Sequence, residues 1–171
     1  MSKEFTSLAV LVIDDEPLIR WALSAALSEA GHAVVDAPDG SGGLRAVMTA
    51  PQAFDVVFLD FRLPDSNDFT LLTAIRTWAP RSVVVLMTAS GTPEMVAEAD
   101  RLGVYRVLNK PFDLVEVHNV VAAVSGASRT LGGNFHGSTR HQCVPVSVPM
   151  DFNRLRNETG TVDLRDLPAL R

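Results

Sequence analysis

Several features are scarce in this 171-residue chain, and each absence excludes a class of protein. A single cysteine, Cys143, excludes an internal disulfide. No apolar run approaches the roughly twenty residues that a membrane-spanning helix needs. The formal net charge is −5, from 15 lysines and arginines against 20 acids, and no basic cluster suits the phosphate backbone of a nucleic acid. We therefore expect a cytoplasmic protein without a membrane span or a direct DNA-binding surface.

The chain does contain a regular alternation of short apolar runs with segments of helical spacing. The runs are rich in Val, Ile and Leu and end at charged or small residues, which is typical of buried parallel strands. The predicted strands are Leu8–Ile13, Ala33–Asp36, Phe54–Leu59, Ser82–Met87 and Val104–Leu108. The predicted helices are Pro17–Ala30 (with Glu16 as an alternative start), Asp39–Ala50, Asp68–Ala79, Thr92–Leu102 and Asp113–Ser125. This alternation predicts an α/β fold, a doubly wound five-stranded parallel sheet in the flavodoxin-like order 2-1-3-4-5 with five helices.

The first predicted helix carries apolar residues at helical spacing. Its predicted inward stripe consists of Leu18, Trp21, Ala22, Ala25 and Ala26. We interpret the Trp21 side chain as a packing residue of this stripe.

The sequence changes character after Ser125. Residues 126–171 begin with a run rich in Gly, Ser and Thr, and the two prolines of the later run VPVSVPM exclude a central strand. We expect a folded domain over residues 1–125 and a flexible C-terminal extension over residues 126–171 without a recognisable output domain. A short helix near Asp151–Arg156 is the one element predicted in the extension.

Five polar side chains lie at or just beyond the ends of four of the predicted strands. Asp14 and Asp15 follow the first strand, Asp60 follows the third and Thr88 follows the fourth. Lys110 lies two residues beyond the fifth strand. Because ligands of open parallel sheets bind outside the carboxyl ends of the strands, these groups are expected to meet at one edge of the sheet.

The residue types at this edge indicate phosphoryl chemistry assisted by a metal ion. Three carboxylates placed together repel one another unless a cation is bound, and Mg²⁺ prefers oxygen ligands. Asp60 is the candidate nucleophile that would form an aspartyl phosphate, with the Lys110 ammonium and the Thr88 hydroxyl as partners of the phosphoryl group. Taken alone, each residue has a simpler interpretation as a helix cap, a loop acid, a surface lysine or a turn residue. Their joint arrangement favours the single site.

These segments together resemble the receiver domain of two-component response regulators. The matching segments are VLVIDDEP, VVFLDFRLPD, LMTAS and LNKPF, and the resemblance covers residues 8 to about 125. It implies a receiver that accepts a phosphoryl group on Asp60 from a sensor histidine kinase or a phosphotransfer protein. Such a receiver signals to a downstream effector protein by conformational change or onward phosphotransfer. It is not a turnover enzyme, since it catalyses only its own phosphorylation and dephosphorylation.

The resemblance also implies roles for the site residues. It places Mg²⁺ on Asp15, Asp60 and the backbone carbonyl of Arg62, with Asp14 contributing through water. Lys110 would pair with the phosphoryl oxygens, Thr88 would be the switch hydroxyl, and the Lys110–Pro111 peptide bond would be cis.

Two positions depart from the usual pattern of the family. Val107 stands where receivers usually carry a Tyr or Phe that moves inward on activation, and Tyr105, two positions earlier, is not assigned that role. Asp68 stands where a Gly is usual, and the run LPDSNDF resembles receivers related to nitrogen-regulatory activators. We expect Asp68 to be the N-cap of the third helix.

Two alternative functions use the same residues. A Mg²⁺-dependent aspartyl-phosphate hydrolase would have a similar acidic cluster, but such hydrolases usually carry a second Asp two residues beyond the nucleophile, where this chain has Arg62. A degraded receiver would act only as a scaffold, with Val107 uncoupling phosphorylation from shape.

Overall fold

The predicted alternation of strands and helices is present in the computed structural model, which describes residues 7–128. The strands are β1 (Ala9–Ile13), β2 (Ala33–Ala37), β3 (Val56–Asp60), β4 (Val83–Thr88) and β5 (Arg106–Asn109). The helices are α1 (Pro17–Glu29), α2 (Gly40–Thr49), α3 (Thr70–Trp78), α4 (Pro93–Arg101) and α5 (Leu114–Ser128). All strand pairs are parallel and the order is β2-β1-β3-β4-β5, which confirms the predicted fold class.

Two predictions from the sequence concern residues outside the described range. The predicted helix near Asp151–Arg156 and nearly all of the predicted extension over residues 126–171 fall outside the described residues. Within the described range, no helix has the length and apolarity to cross a bilayer.

Both faces of the sheet are covered, which explains why the strand sequences are continuously apolar. Successive strand residues point to opposite faces, so each strand supplies two cores. One core, which includes residues of α1 and α5, contains Val10, Val12, Leu23, Leu27, Phe58, Met87, Val117 and Val121. The other, which includes residues of α2, α3 and α4, contains Leu11, Ile13, Leu44, Val57, Leu59, Leu72, Ile75, Leu86 and Ala99. The carboxyl ends of the buried strands are thereby held in fixed relative positions.

The predicted inward stripe of α1 is wrong, because the buried stripe is shifted by about one residue along the helix. Leu23 and Leu27 are the buried residues of the helix, whereas Leu18 is 81% exposed and Trp21 is 70% exposed. Ala25 is exposed as well, while Ala22 and Ala26 are half-buried at the margin of the true stripe. Two overlapping apolar stripes exist on this helix, and the short connection from β1 together with packing on α5 selects the one that faces the sheet.

Helix and strand boundaries differ from the predictions by one or two residues in places that affect the site. Asp60 and Thr88 are the last residues of β3 and β4 rather than the first residues beyond them. The predicted capping role of Asp68 needs a correction, since α3 begins at Thr70 and Phe69 is its N-cap. Asp68 lies one residue earlier and accepts a hydrogen bond of 2.9 Å from the amide of Thr70.

Arg76 joins α3 to the C-terminal end of α4. Its guanidinium donates hydrogen bonds to the carbonyls of Ser82, Leu102 and Gly103. Gly103 has a φ of +77°, and a Cβ there would collide with the guanidinium, so glycine serves both the backbone conformation and the close approach. A cation at this position also interacts favourably with the negative end of the α4 dipole.

We expect the substitution Arg76→Met to lower the free energy of unfolding by about 2 kcal/mol, because it removes three hydrogen bonds from a charged donor at a helix C-terminus. Urea denaturation of the variant and the wild type measures the change. Arg81→Met is the matched control, since Arg81 is exposed. An equal loss in the two variants would contradict the role assigned to Arg76.

Candidate functional site

The structure brings four of the predicted side chains together at the carboxyl edge of the sheet. β1 and β3 are neighbours, so Asp14 and Asp15 after β1 lie beside Asp60 at the end of β3. Carboxylate oxygens of these three acids lie within 4.8 Å of one another. Lys110, just after β5, reaches across β4 to this cluster.

The Lys110 ammonium is the centre of the cluster. Its Nζ lies 2.7 Å from Asp60 Oδ2, 2.9 Å from Asp14 Oδ2 and 2.9 Å from Glu16 Oε1. The lysine side chain is only 9% exposed and Asp14 is fully buried, whereas the Glu16 side chain is 57% exposed. The ammonium therefore balances two buried carboxylates and one carboxylate at the rim.

Glu16 is a residue of the site that the sequence pattern did not indicate. The sequence pattern indicates Glu16 only as a possible first residue of α1, where an acid is common. Its position directly after Asp14 and Asp15 was the available signal. The ion pair with Lys110 spans 94 positions of the chain, so no local pattern contains it.

Burial and charge act in opposite directions on the ionisable groups of the site. Burial raises the pKa of Asp14, and the ion pair with Lys110 and the hydrogen bond from the Glu16 amide only partly counteract it. Burial alone would lower the pKa of Lys110, but the carboxylates of Asp60, Asp14 and Glu16 outweigh it and raise the pKa. Lys110 is therefore firmly charged at neutral pH.

Each carboxylate oxygen of Asp60 has its own partner. Oδ1 accepts a hydrogen bond of 3.0 Å from the amide of Arg62, and Oδ2 accepts one of 2.7 Å from Lys110. The residue is 6% exposed, so the backbone position is fixed by β3 while the tip reaches the surface of the sheet edge. The observed contact of Arg62 is through its amide, and its role as a carbonyl ligand stays a prediction.

Thr88 ends β4 beside this cluster and is fully buried. Its Oγ1 accepts a hydrogen bond of 3.2 Å from the amide of Ser90, which leaves the hydroxyl proton for another acceptor. The backbone carbonyl of Thr88 accepts a hydrogen bond of 2.7 Å from the amide of Lys110, so the two residues are linked directly. The Lys110–Pro111 peptide bond is cis, as predicted.

A groove of about 650 Å³ lies between α4 and β5, on the side of the site where Val107 stands. It is lined by residues that include Pro93, Val96, Tyr105 and Val107. Tyr105 is exposed and lies one residue before β5. Val107 is partly buried against the core that α2 to α4 cover.

The acidic cluster fits a hard divalent cation. Asp14 Oδ2 is buried and, among the described residues, its only partner is the ammonium of Lys110, without the geometry of a hydrogen bond. A buried carboxylate oxygen with spare capacity suits a water molecule of a hydrated ion. Asp15 is exposed, so an ion would enter from the solvent side.

Comparison with known proteins shows the family. The family model described as response regulator receiver domain matches residues 10–122, which is more than half of the chain. The chain therefore belongs to the response regulator receiver family, a class that works in phosphoacceptor signalling.

Individual relatives agree with this assignment. The chain is similar to the transcriptional regulatory protein KdpE of Mycobacterium tuberculosis, with 39% identity over 107 residues that cover 63% of this chain and 46% of KdpE. It is 34% identical over 116 residues to the DNA-binding transcriptional regulator NtrC of Rhizobium meliloti, covering 68% of this chain and 24% of NtrC. The high-resolution structure of the chemotaxis response regulator CheY4 of Vibrio cholerae superimposes with a TM-score of 0.63 at 29% identity, covering 70% of this chain and 99% of CheY4.

KdpE and NtrC are both longer than this chain. The chain spans about half the length of KdpE and a quarter of NtrC, so the match concerns their receiver parts. The predicted relation to receivers of nitrogen-regulatory activators is confirmed.

Substitution of Lys110 by Met is expected to lower the free energy of unfolding by about 3 kcal/mol at pH 7, because it leaves buried carboxylates without their cation. The loss should shrink as the pH falls towards 5. The pKa of Asp14 is already raised by burial and rises further without Lys110, so its proton is bound in the folded state before the unfolded state takes it up. Urea denaturation at both pH values measures this difference.

Glu16→Gln is the control for this experiment, since it removes only the exposed partner of Lys110. We expect it to cost under about 1 kcal/mol. A loss in Lys110→Met of equal size at both pH values would show that the ammonium does not balance the buried charge.

Proposed function

We propose that this receiver accepts a phosphoryl group on Asp60 and thereby switches its contact with a partner protein. The observation that carries the proposal is the position of the Asp60 carboxylate, which lies at the end of a buried strand between two further acids and the Lys110 ammonium. A phosphohistidine of a sensor histidine kinase or of a phosphotransfer protein is the proposed donor.

The arrangement of the side chains supports attack through one oxygen of Asp60. The Arg62 amide holds Oδ1, so Oδ2 is the oxygen that faces Lys110 and the incoming group. Oδ2 forms a bond to phosphorus while the bond between phosphorus and the histidine nitrogen breaks, and the histidine leaves with the electron pair. Lys110 then pairs with a phosphoryl oxygen, and the Thr88 hydroxyl donates to another.

Asp15, Asp60 and the backbone carbonyl of Arg62 are the proposed ligands of Mg²⁺, with Asp14 acting through a water molecule. The ion, when bound, neutralises charge on the phosphoryl oxygens as the bond to Asp60 forms. The three acids of this set already lie together, and Lys110 remains beside them as the second source of positive charge.

The proposed output surface is the face formed by α4, β5 and α5. Thr88 lies at the end of β4, and its engagement with phosphate would shift a conformational equilibrium of the groove beside Val107. The proposed reader is an effector protein, and onward phosphotransfer is the alternative output. We also propose a cytoplasmic location, self-catalysed phosphorylation and dephosphorylation without turnover, and a receiver over residues 1–125 followed by an extension over residues 126–171.

Incubation of the protein with Mg²⁺ and acetyl phosphate is expected to add one phosphoryl group, read as intact mass. Asp60→Asn should abolish the addition, because the amide nitrogen is not a nucleophile towards phosphorus. Removal of Mg²⁺ by a chelator should suppress it strongly. Asp68→Asn is the matched control, since Asp68 is an exposed acid of the same loop, and we expect normal phosphorylation.

Amide NMR shifts of the phosphorylated protein separate the possible outputs. Shifts around Thr88 and β5 would support a conformational switch, whereas addition without distant shifts would support a relay or an uncoupled scaffold. Undiminished addition in Asp60→Asn would refute Asp60 as the acceptor.

A further inference from the structure

The loop that follows Asp60 is tied to the first turn of α2 by one carboxylate, that of Asp65. Asp65 Oδ1 accepts a hydrogen bond of 2.8 Å from the amide of Gly40, and Oδ2 accepts one of 2.8 Å from the amide of Ser41. The Ser41 hydroxyl donates a third, also of 2.8 Å, to Oδ2. Burial raises the pKa of Asp65, but the hydrogen bonds from Gly40 and Ser41 outweigh it and lower the pKa. The carboxylate is therefore charged at neutral pH, which suits a helix N-terminus.

We propose that Asp65 is a positioning residue of the magnesium site, which acts by holding the backbone carbonyl of Arg62 in the direction of the ion. The inference rests on the proposed function, since that function assigns the Arg62 carbonyl as a ligand. Asp65 itself does not touch the ion or the phosphoryl group.

A tight turn connects the anchored residue Asp65 to Arg62. The amide of Leu63 donates a hydrogen bond of 2.7 Å to the carbonyl of Ser66, and the amide of Ser66 returns one of 3.2 Å to Leu63, so Pro64 and Asp65 form the tip. The Leu63 amide shares a planar trans peptide unit with the Arg62 carbonyl, and the two groups point in opposite directions. Fixing the Leu63 amide therefore fixes the direction of that carbonyl.

Helix α2 is a suitable anchor because it also packs directly on β1. A Cβ at Gly43 would lie 2.3 Å from Cδ1 of Ile13, so only glycine allows this approach. Ile13 immediately precedes Asp14 and the acids that follow β1. The first turns of α2 thus contact both chain segments that carry the proposed ligands, one through Gly43 and the other through Asp65.

This link matters because Mg²⁺ demands nearly ideal octahedral geometry. Groups that orient a ligand without touching the metal typically change metal affinity by about 10- to 100-fold when they are removed. Arg62, Pro64 and Asp65 are exposed, whereas Leu63 is buried. The hydrogen bonds of Asp65 therefore act together with the burial of Leu63 to hold this part of the loop in place.

Asp39 provides a matched control for a role in helix capping alone. Its Oδ1 accepts a hydrogen bond of 2.6 Å from the amide of Gly42, so it caps the same end of α2 with the same charge. Asp39 lies in the connection between β2 and α2 and is not part of the loop after Asp60. A role of Asp65 in capping alone predicts that the two aspartates behave alike.

Titration of the 171-residue chain with Mg²⁺, followed by calorimetry and by the amide shifts of Asp15 and Asp60, tests the inference. We expect Asp65→Ala to raise the Kd for Mg²⁺ about tenfold and Asp39→Ala to leave it unchanged. Asp65→Asn, which keeps one acceptor oxygen, should recover part of the affinity. Without Mg²⁺, the Leu63 amide should exchange its hydrogen faster in Asp65→Ala than in the wild type, and at the wild-type rate in Asp39→Ala. Ser41→Ala removes a single hydrogen bond and serves as the milder variant if Asp65→Ala does not fold.

The outcomes separate this inference from the proposed function. If the wild type binds Mg²⁺ and Asp65→Ala binds it with the same Kd, the inference is overturned and the proposed function stands. Equal rises of the Kd in Asp65→Ala and Asp39→Ala would have the same meaning. A wild-type protein that binds no Mg²⁺ would overturn both. Selective weakening in Asp65→Ala with partial recovery in Asp65→Asn would support the positioning role.

Discussion

The site depends on one interaction, the contact of the Lys110 ammonium with the carboxylates of Asp14, Glu16 and Asp60. Burying acids at the edge of an apolar sheet costs free energy, and burial does raise the pKa of Asp14. The ammonium offsets this cost in the absence of a metal ion. It also stands where a phosphoryl group on Asp60 would need positive charge, so the proposed function would give the same cation a second role in the chemistry.

The rest of the fold holds this charge arrangement in place. The strands are covered on both faces, so their carboxyl ends move little relative to one another. Three strand ends each place one side chain at this edge: Asp60 closes β3, Thr88 closes β4, and Lys110 directly follows β5 and precedes the cis peptide bond to Pro111. Loops and helix termini supply the finer adjustment, as Asp65 does for the loop after Asp60 and Arg76 does for the end of α4.

The face beside Val107 distinguishes this receiver from the usual pattern. The groove between α4 and β5 is lined by small and aliphatic residues together with the charged Asp100 and Arg106, and Tyr105 is exposed at its rim. The side chain at position 107 therefore offers no aromatic ring that could rotate inward. Exposed apolar residues also lie on α1, where Leu18 and Trp21 face outward.

The sequence by itself determined the sheet order, the five helices and the convergence of Asp14, Asp15, Asp60 and Lys110, because strand-end positions in a parallel sheet follow from chain order and handedness. Only the tertiary structure decided the rotation of α1, since two overlapping apolar stripes were available and packing selected the one with Leu23 and Leu27. It also decided the contacts of Glu16 and Asp65. These join residues 94 and 24 to 25 positions apart, so their partners are set by how neighbouring loops meet above the sheet and not by any local pattern.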